Sequence, residues 1–275
     1  MPLYLVFTPI GNLEDITLRA LRVLQEADVI AAEDTRHTGK LLARYDIHKP
    51  LISLHEHNEA ARIQSILERL HAGEAVALVS DAGAPAISDP GYQLTRAAIE
   101  AGFQPIPIPG PSALLAALVA SGLPTDRFLF LGFPPRKEKA QAELLQSLRT
   151  EPGVLIFYQS PRRLPALLAA IARELGAERP VVVARELTKL HEAFWRGRAE
   201  DAVRAFAQPP KGEIVVLVGG AVDETSDEIT PVIEETLTGL LAGGMSVSDA
   251  ARLLAELTGL PRRTLYQRAL DLQER

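Results

Sequence analysis

Short apolar runs and longer amphipathic stretches alternate along the first 220 residues. The runs at 3–7, 29–32, 51–54, 75–79 and 104–108 predict strands. The intervening stretches 18–26, 39–45, 59–71 and 92–101 predict helices; in 59–71, Ile63, Ile66, Leu67 and Leu70 share one face. Strands that alternate with helices imply a parallel sheet covered on both faces.

Pro109-Gly110-Pro111 punctuates this pattern. An apolar helix follows at 113–120, with Ser112 as the expected N-cap. A second α/β unit, with a mixed sheet, is then expected from strands at 127–132, 154–158, 181–184, 193–196 and 214–218 and helices at 137–148 and after Ser160-Pro161. Residues 221–227 are polar and aperiodic and read as a linker. Beyond it, 231–242, 246–257 and 261–273 predict three helices, broken at Gly243-Gly244 and Thr258-Gly259 in a helix-turn-helix outline. Arg262, Arg263, Thr264, Tyr266 and Arg268 fall on or near the last helix. The expected division is a parallel-sheet α/β domain at 1–112, a second α/β domain at 113–225 and a small helical extension at 226–275.

The absence of cysteine excludes disulfides, thiolate zinc sites and thiol nucleophiles. The first apolar run has no basic segment ahead of it and reads as a strand, not a signal peptide. No apolar run is long enough to span a bilayer, so a cytoplasmic location is expected. Net charge is −6, yet 127–198 holds 13 Lys/Arg against 7 Asp/Glu, so the middle of the chain can present a basic face despite the acidic whole.

Ligands of open α/β sheets bind beyond the carboxyl ends of the strands. The loops expected there are rich in glycine, proline and small residues: Thr8-Pro9-Ile10-Gly11-Asn12, then Glu33-Asp34-Thr35-Arg36, then 80–91, then Pro109 to Ala113. Such residues let backbone groups approach a ligand in a fixed shape. One such loop is a tight turn; four on one rim indicate a cleft. No GxxxxGK[ST], GxGxxG, HExxH or GxSxG occurs, which removes the P-loop, the dinucleotide fingerprint and two hydrolase classes. His55-Glu56-His57 lacks a third ligand, so no metal is expected.

The order TPIGN, AEDTR, SDAGAPAISDPG, PGPSA and RELTKLHE, at 8–12, 32–36, 80–91, 109–113 and 185–192, resembles the tetrapyrrole methylase family, and within it the branch of small-subunit ribosomal RNA (cytidine-2′-O)-methyltransferases. The resemblance covers nearly the whole chain, the last three helices included. Two motifs depart from the family pattern: Gln159 and Arg162 stand in a motif that usually reads Tyr-Glu-Ser-Pro-His-Arg, and Ala84 stands where threonine is usual. The resemblance implies S-adenosylmethionine folded between the two α/β domains, lined by Pro9, Asp81, Ala82, Gly83, Ala84, Ile87, Ser112 and Ala113 from the first and by Phe133, Tyr158 and Ala184 from the second. It also implies a homodimer and a substrate in 16S rRNA or the 30S subunit.

A ribose 2′-hydroxyl is a weak acid, so a base or a polarising cation should assist its methylation. By loop position and residue type, Asp34 and Glu186 are the expected acid/base groups, with Arg36 and Lys189 as the cations. Arg162, Arg163, His57 and Asn58 are expected to face RNA; Asn58 is equally a helix cap. Two other functions fit less of the sequence. A C-methyltransferase acting on a tetrapyrrole precursor would share the fold but has no use for the TPIGN and AEDTR loops or the helical extension. A non-enzymatic nucleic-acid-binding regulator would use the last helices, but the acidic whole suits it poorly.

Overall fold

All four residues of two strands, Val29–Ala32 and Val76–Val79, are buried, and Leu3–Val6 is buried at both ends and partly buried between, as a sheet covered on both faces requires. The computed structural model describes residues 2–55, 57–221 and 229–273. The expected linker falls almost wholly within 222–228, and the expected boundary at 225/226 also lies outside the described residues. Two compact units result, one ending at Ala221 and one formed by the last three helices.

The first half of the larger unit runs β1 (Leu3–Val6), α1 (Leu18–Glu26), β2 (Val29–Ala32), α2 (Thr35–Arg44), β3 (Leu51–Ser53), α3 (Glu59–His71), β4 (Val76–Val79), α4 (Tyr92–Glu100) and β5 (Ile106–Ile108). Its strands form one parallel sheet in the order β3-β2-β4-β1-β5. On one face, α1 and α2 bury Ala20, Val23, Leu24, Leu41 and Leu42 against Val6, Ile30 and Ala77. On the other, α3 and α4 bury Ile66, Leu70, Leu94 and Ala98 against Leu3, Val29 and Leu78.

The second half runs α5 (Ala113–Ser121), β6 (Phe128–Phe130), α6 (Glu138–Ser147), β7 (Val154–Gln159), α7 (Leu164–Glu174), β8 (Pro180–Arg185), β9 (Ala193–Arg198), α8 (Ala199–Ala205) and β10 (Ile214–Val218). Its sheet is mixed, in the order β6-β7-β10-β8-β9, with only β6 and β7 parallel. Helices α6, α7 and α8 cover one face. The other packs Ala117 and Leu118 of α5 together with Ile10 and Leu187, so a loop of the first sheet is anchored in the core of the second.

Several boundaries differ from those expected. Helix α2 starts at Thr35, four residues early, because Asp34 caps it: the Asp34 carboxylate accepts from Arg36 N–H at 2.8 Å. Ser112 occupies the N-cap of α5 but makes no side-chain capping bond. Pro161 opens a single 3-10 turn, Pro161–Arg163, and α7 begins only at Leu164.

In the smaller unit, α9 (Pro231–Ala242), α10 (Val247–Thr258) and α11 (Arg262–Gln273) close on Leu237, Ala250, Ala251, Leu254, Leu265 and Ala269. Thr230 and Ser246 cap the first two helices, and Gly259 ends α10 in a left-handed conformation (φ 75°). Arg268 of α11 is paired with Glu234 of α9.

Candidate functional site

The carboxyl ends of β1, β2, β4 and β5 carry the four small-residue loops to one rim. Thr8 and Gly83 exchange two backbone hydrogen bonds of 2.9 Å, which ties the loop after β1 to the loop after β4. Between these loops and the second sheet lies a cavity of about 780 Å³. Its first-sheet wall is Phe7, Ile10, Glu33, Asp81–Ala84, Ile87, Ser88, Asp89 and Ser112. Its second-sheet wall includes Leu114, Phe128, Phe133, Tyr158, Leu187 and Gly212–Val215. The wall is mainly apolar with a few convergent polar groups, which is the make-up of a small-molecule site. Phe130 and Phe133 both meet the Tyr158 ring edge-on, with centroids 4.9 and 5.7 Å away.

The loops at the rim hold unusual backbone conformations. Ala86 (φ 67°), Ser88 (φ 64°), Glu186 (φ 53°) and Thr188 (φ 65°) are left-handed without being glycine. Each such residue costs on the order of 1 kcal/mol and survives only where its surroundings over-determine it. Gly11 is required by close approach: a Cβ there would meet Lys189 Cγ at 2.5 Å and Thr188 Oγ1 at 2.9 Å. The 186–189 turn is therefore seated on the loop after β1.

Of the residues expected to hold the donor, Asp81, Ala82, Gly83, Ala84, Ile87, Ser112, Ala113, Phe133 and Tyr158 line the cavity. Pro9 is buried between the lining residues Phe7 and Ile10 without itself lining the cavity, and Ala184 lies in the core beneath the second wall. The expected acid/base groups form two pairs just outside it. Asp34 is held by Arg36 at 2.7 Å, and Asp34 N–H donates to Asp81 Oδ1 at 3.0 Å. The Arg36 side chain, then its backbone N–H, hold the Asp34 carboxyl far below the usual carboxylate range. Glu186 accepts from Glu213 N–H at 2.9 Å and from Lys189 Nζ at 3.1 Å, and these bonds, in that order, lower its pKa. Burial disfavours the Lys189 cation, but Glu213 and Glu186 outweigh it and raise its pKa. Both expected carboxylates are thus committed to neighbours.

His57 and Asn58 sit in the turn before α3, away from the cavity lining; Asn58 Oδ1 accepts from His55 N–H at 2.8 Å and braces the turn, with no side-chain cap on α3. Arg162 is exposed next to the lining residue Pro161, and Arg163 donates to Arg136 O at 3.0 Å. Among the described residues, no group of three or more His, Asp or Glu side chains is placed to hold a metal ion, and no helix is long and apolar enough to cross a membrane.

Sequence reasoning places Glu33 on the loop rim without giving it a role and passes over Asp89, yet both face the cavity. Burial, then the nearby Asp81 carboxylate, raises the Glu33 pKa, while His55 opposes the shift. Burial first, then Glu33 and Asp81, push Asp89 up to about 6. Burial raises the Tyr158 hydroxyl as well. The signal for Asp89 was its place in the 80–91 loop; nothing in the residue string said that it turns inward beside Asp81.

Residues 2–203 match the model of the tetrapyrrole (corrin/porphyrin) methylases, and residues 227–273 match that of the RsmI C-terminal HTH domain. The chain is 51% identical over 273 residues to ribosomal RNA small subunit methyltransferase I of Synechocystis sp., covering 98% of each chain. The chain belongs to the ribosomal RNA small subunit methyltransferase I family. The Escherichia coli O157:H7 member of that family is 46% identical over 275 residues, covering 98% of this chain and 95% of its own. The two-sheet fold is similar to that of solved methyltransferases: the methyltransferase CobJ aligns with a TM-score of 0.62 at 23% identity, covering 80% of this chain and 94% of its own. A uroporphyrin-III C-methyltransferase from Thermus thermophilus, solved with S-adenosylhomocysteine, aligns with a TM-score of 0.56 at 21% identity, covering 79% and 97%.

Proposed function

We propose that the chain transfers a methyl group from S-adenosylmethionine to the 2′-hydroxyl of a cytidine in the decoding region of 16S rRNA. The near-full-length similarity to ribosomal RNA small subunit methyltransferase I proteins carries this reading. The cavity fits the donor. Its volume of about 780 Å³ lies within the usual range for cofactor sites. Phe133 and Tyr158 offer flat apolar surface, and Glu33 and Asp81 supply negative charge suited to a sulfonium and an α-ammonium. Asp81–Ala84, Ile87, Ser112, Ala113, Phe133 and Tyr158 are the proposed contacts, with Pro9 and Ala184 supporting the two walls from behind.

The donor supplies an already activated methyl group, so the protein chiefly binds, orients and excludes water. The Asp34–Arg36 and Glu186–Lys189 pairs flank the cavity and are proposed to position the acceptor strand. Arg162 and Arg163, beside Pro161 at the rim, are proposed to meet RNA phosphates, with His57 and Asn58 at the edge of that surface. A cytoplasmic location is proposed on the same ground. A homodimer is proposed from the exposed apolar side chains of α5 and β6, Leu115, Val119, Phe128 and Leu129.

The test is methyl transfer from tritiated S-adenosylmethionine to 30S subunits from cells lacking the cognate activity, followed by mapping of the label. Label in a 2′-O-methylcytidine of 16S rRNA is expected. Label only on a tetrapyrrole precursor would overturn the acceptor and keep the fold and the donor site.

A further inference from the structure

We propose that Asp89 accepts the proton released from the ribose hydroxyl during methyl transfer. This rests on the functional reading above and concerns the same cavity. In the step, the acceptor oxygen forms a C–O bond to the methyl carbon while the S–CH3 bond breaks and leaves its electron pair on sulfur. The sulfonium charge is thereby neutralised, and the hydroxyl proton passes to an Asp89 carboxylate oxygen.

Four carboxylates face the cavity: Glu33, Asp81, Asp89 and Glu213. Three are engaged. Asp81 Oδ1 accepts from Asp34 N–H at 3.0 Å. Glu33 receives the Asp81 backbone N–H and faces His55. Glu213 is ion-paired with Lys189 at 3.0 Å and is largely exposed. Among the described residues, no lysine or arginine forms an ion pair with Asp89. It faces Glu33 and Asp81 on its own wall and Tyr158 across the cavity, and its one hydrogen-bond partner is the neutral Ser80 hydroxyl, which donates to it.

The loop holds Asp89 in place from both sides. Ala86 N–H donates to Pro90 O at 3.2 Å, closing a tight turn around the left-handed Ala86 and Ser88. Gly91 N–H and Leu94 N–H are held by the buried Glu59 carboxylate. A fixed carboxylate inside the cavity with no cationic partner has the geometry of a proton acceptor. Its environment, which pushes it up to about 6, also brings its basicity close to that suited to neutral pH.

The experiment compares wild type with Asp89→Asn in single-turnover methylation of 30S subunits, with affinities for S-adenosylmethionine and S-adenosylhomocysteine measured by calorimetry. The expected result is a loss of at least about 100-fold in rate, with both affinities within about threefold of wild type. The wild-type rate should rise with pH and level off above about 6. A rate within about threefold of wild type would overturn the proposal. So would a selective loss of S-adenosylmethionine affinity with the rate restored at saturating donor, since Asp89 would then hold the sulfonium. Should the variant fail to fold, the wild-type profile decides: a flat rate from pH 5 to 8 overturns the proposal. Wild type that labels no 30S RNA overturns the functional reading itself, an outcome visible before any variant is compared.

Discussion

The buried Glu59 carboxylate, at the start of α3, accepts the backbone N–H groups of Gly91 (3.1 Å) and Leu94 (3.0 Å) at the start of α4. Gly91 has no side chain with which to cap its own helix, and its φ of 128° leaves little room for one: a Cβ there would meet Leu78 Cδ2 at 2.7 Å. The cap is therefore supplied from a neighbouring helix, and it anchors the loop that carries Asp81 through Asp89.

Replacing Glu59 by alanine leaves two buried N–H groups without acceptors. We expect a loss of about 2 kcal/mol of stability, together with weaker donor binding as the loop loosens. Glu59→Gln keeps one acceptor oxygen and should recover part of both. Urea unfolding and calorimetric titration with S-adenosylmethionine check this.

Gly11→Ala would force the new methyl group against Lys189 and Thr188. The 186–189 turn must then shift, and with it Leu187 in the cavity wall. Overpacking of this kind destabilises by about 1–3 kcal/mol. The expected outcome is a lower melting temperature and a lower methylation rate, measured by calorimetry and single-turnover assay.

Tyr158→Ala removes the ring on which Phe130 and Phe133 pack and which faces the cavity. Donor affinity should fall by at least about tenfold, equivalent to about 1.4 kcal/mol. Tyr158→Phe, which keeps the ring, should remain close to wild type in the same titration.

Charge reversal at Arg162 and Arg163 should weaken binding to 30S subunits and flatten its dependence on salt, because fewer phosphate contacts release fewer counterions. S-adenosylmethionine affinity should be unchanged. An equal fall in donor affinity would instead mark the arginines as supports of the 160–163 turn.

Asp89 also has a signature in stability. Its pKa is raised above the unfolded value, from 3.8 to about 6. The folded state therefore binds more protons than the unfolded state in that interval, and the stabilisation present below about pH 4 is lost as pH rises through about 6. Asp89→Asn removes this penalty. It should be the more stable protein at pH 7.5 by about 1 kcal/mol once solvent screening at this partly exposed group is allowed for. The difference should vanish near pH 4 in urea unfolding at the two pH values.

Much of the fold is legible in the residue string. Apolar runs such as 76–79 have the length of a fully buried strand, and the stripe of Ile66 and Leu70 in α3 has the period of a helix packed on one side. The start of α2 is not legible, because Thr35 to Thr38 is polar. Its helicity rests on the Asp34 cap and on the burial of Thr38, and tertiary burial of a polar residue leaves no periodic signal.

By itself the sequence determined two α/β halves, a helical extension and a rim of small-residue loops, since these depend on local period, turn chemistry and composition. It also determined the family through motifs spread along nearly the whole chain. The tertiary structure alone decided which acidic residues are free to act. Asp34 and Asp89 look alike in a string, but one lies within reach of a guanidinium two residues on, while the other is turned into a cavity by left-handed residues that are not glycine. The electrostatics of a carboxylate follow from what is packed within a few ångströms of it, and for Asp89 those neighbours include Glu33, from a distant part of the chain.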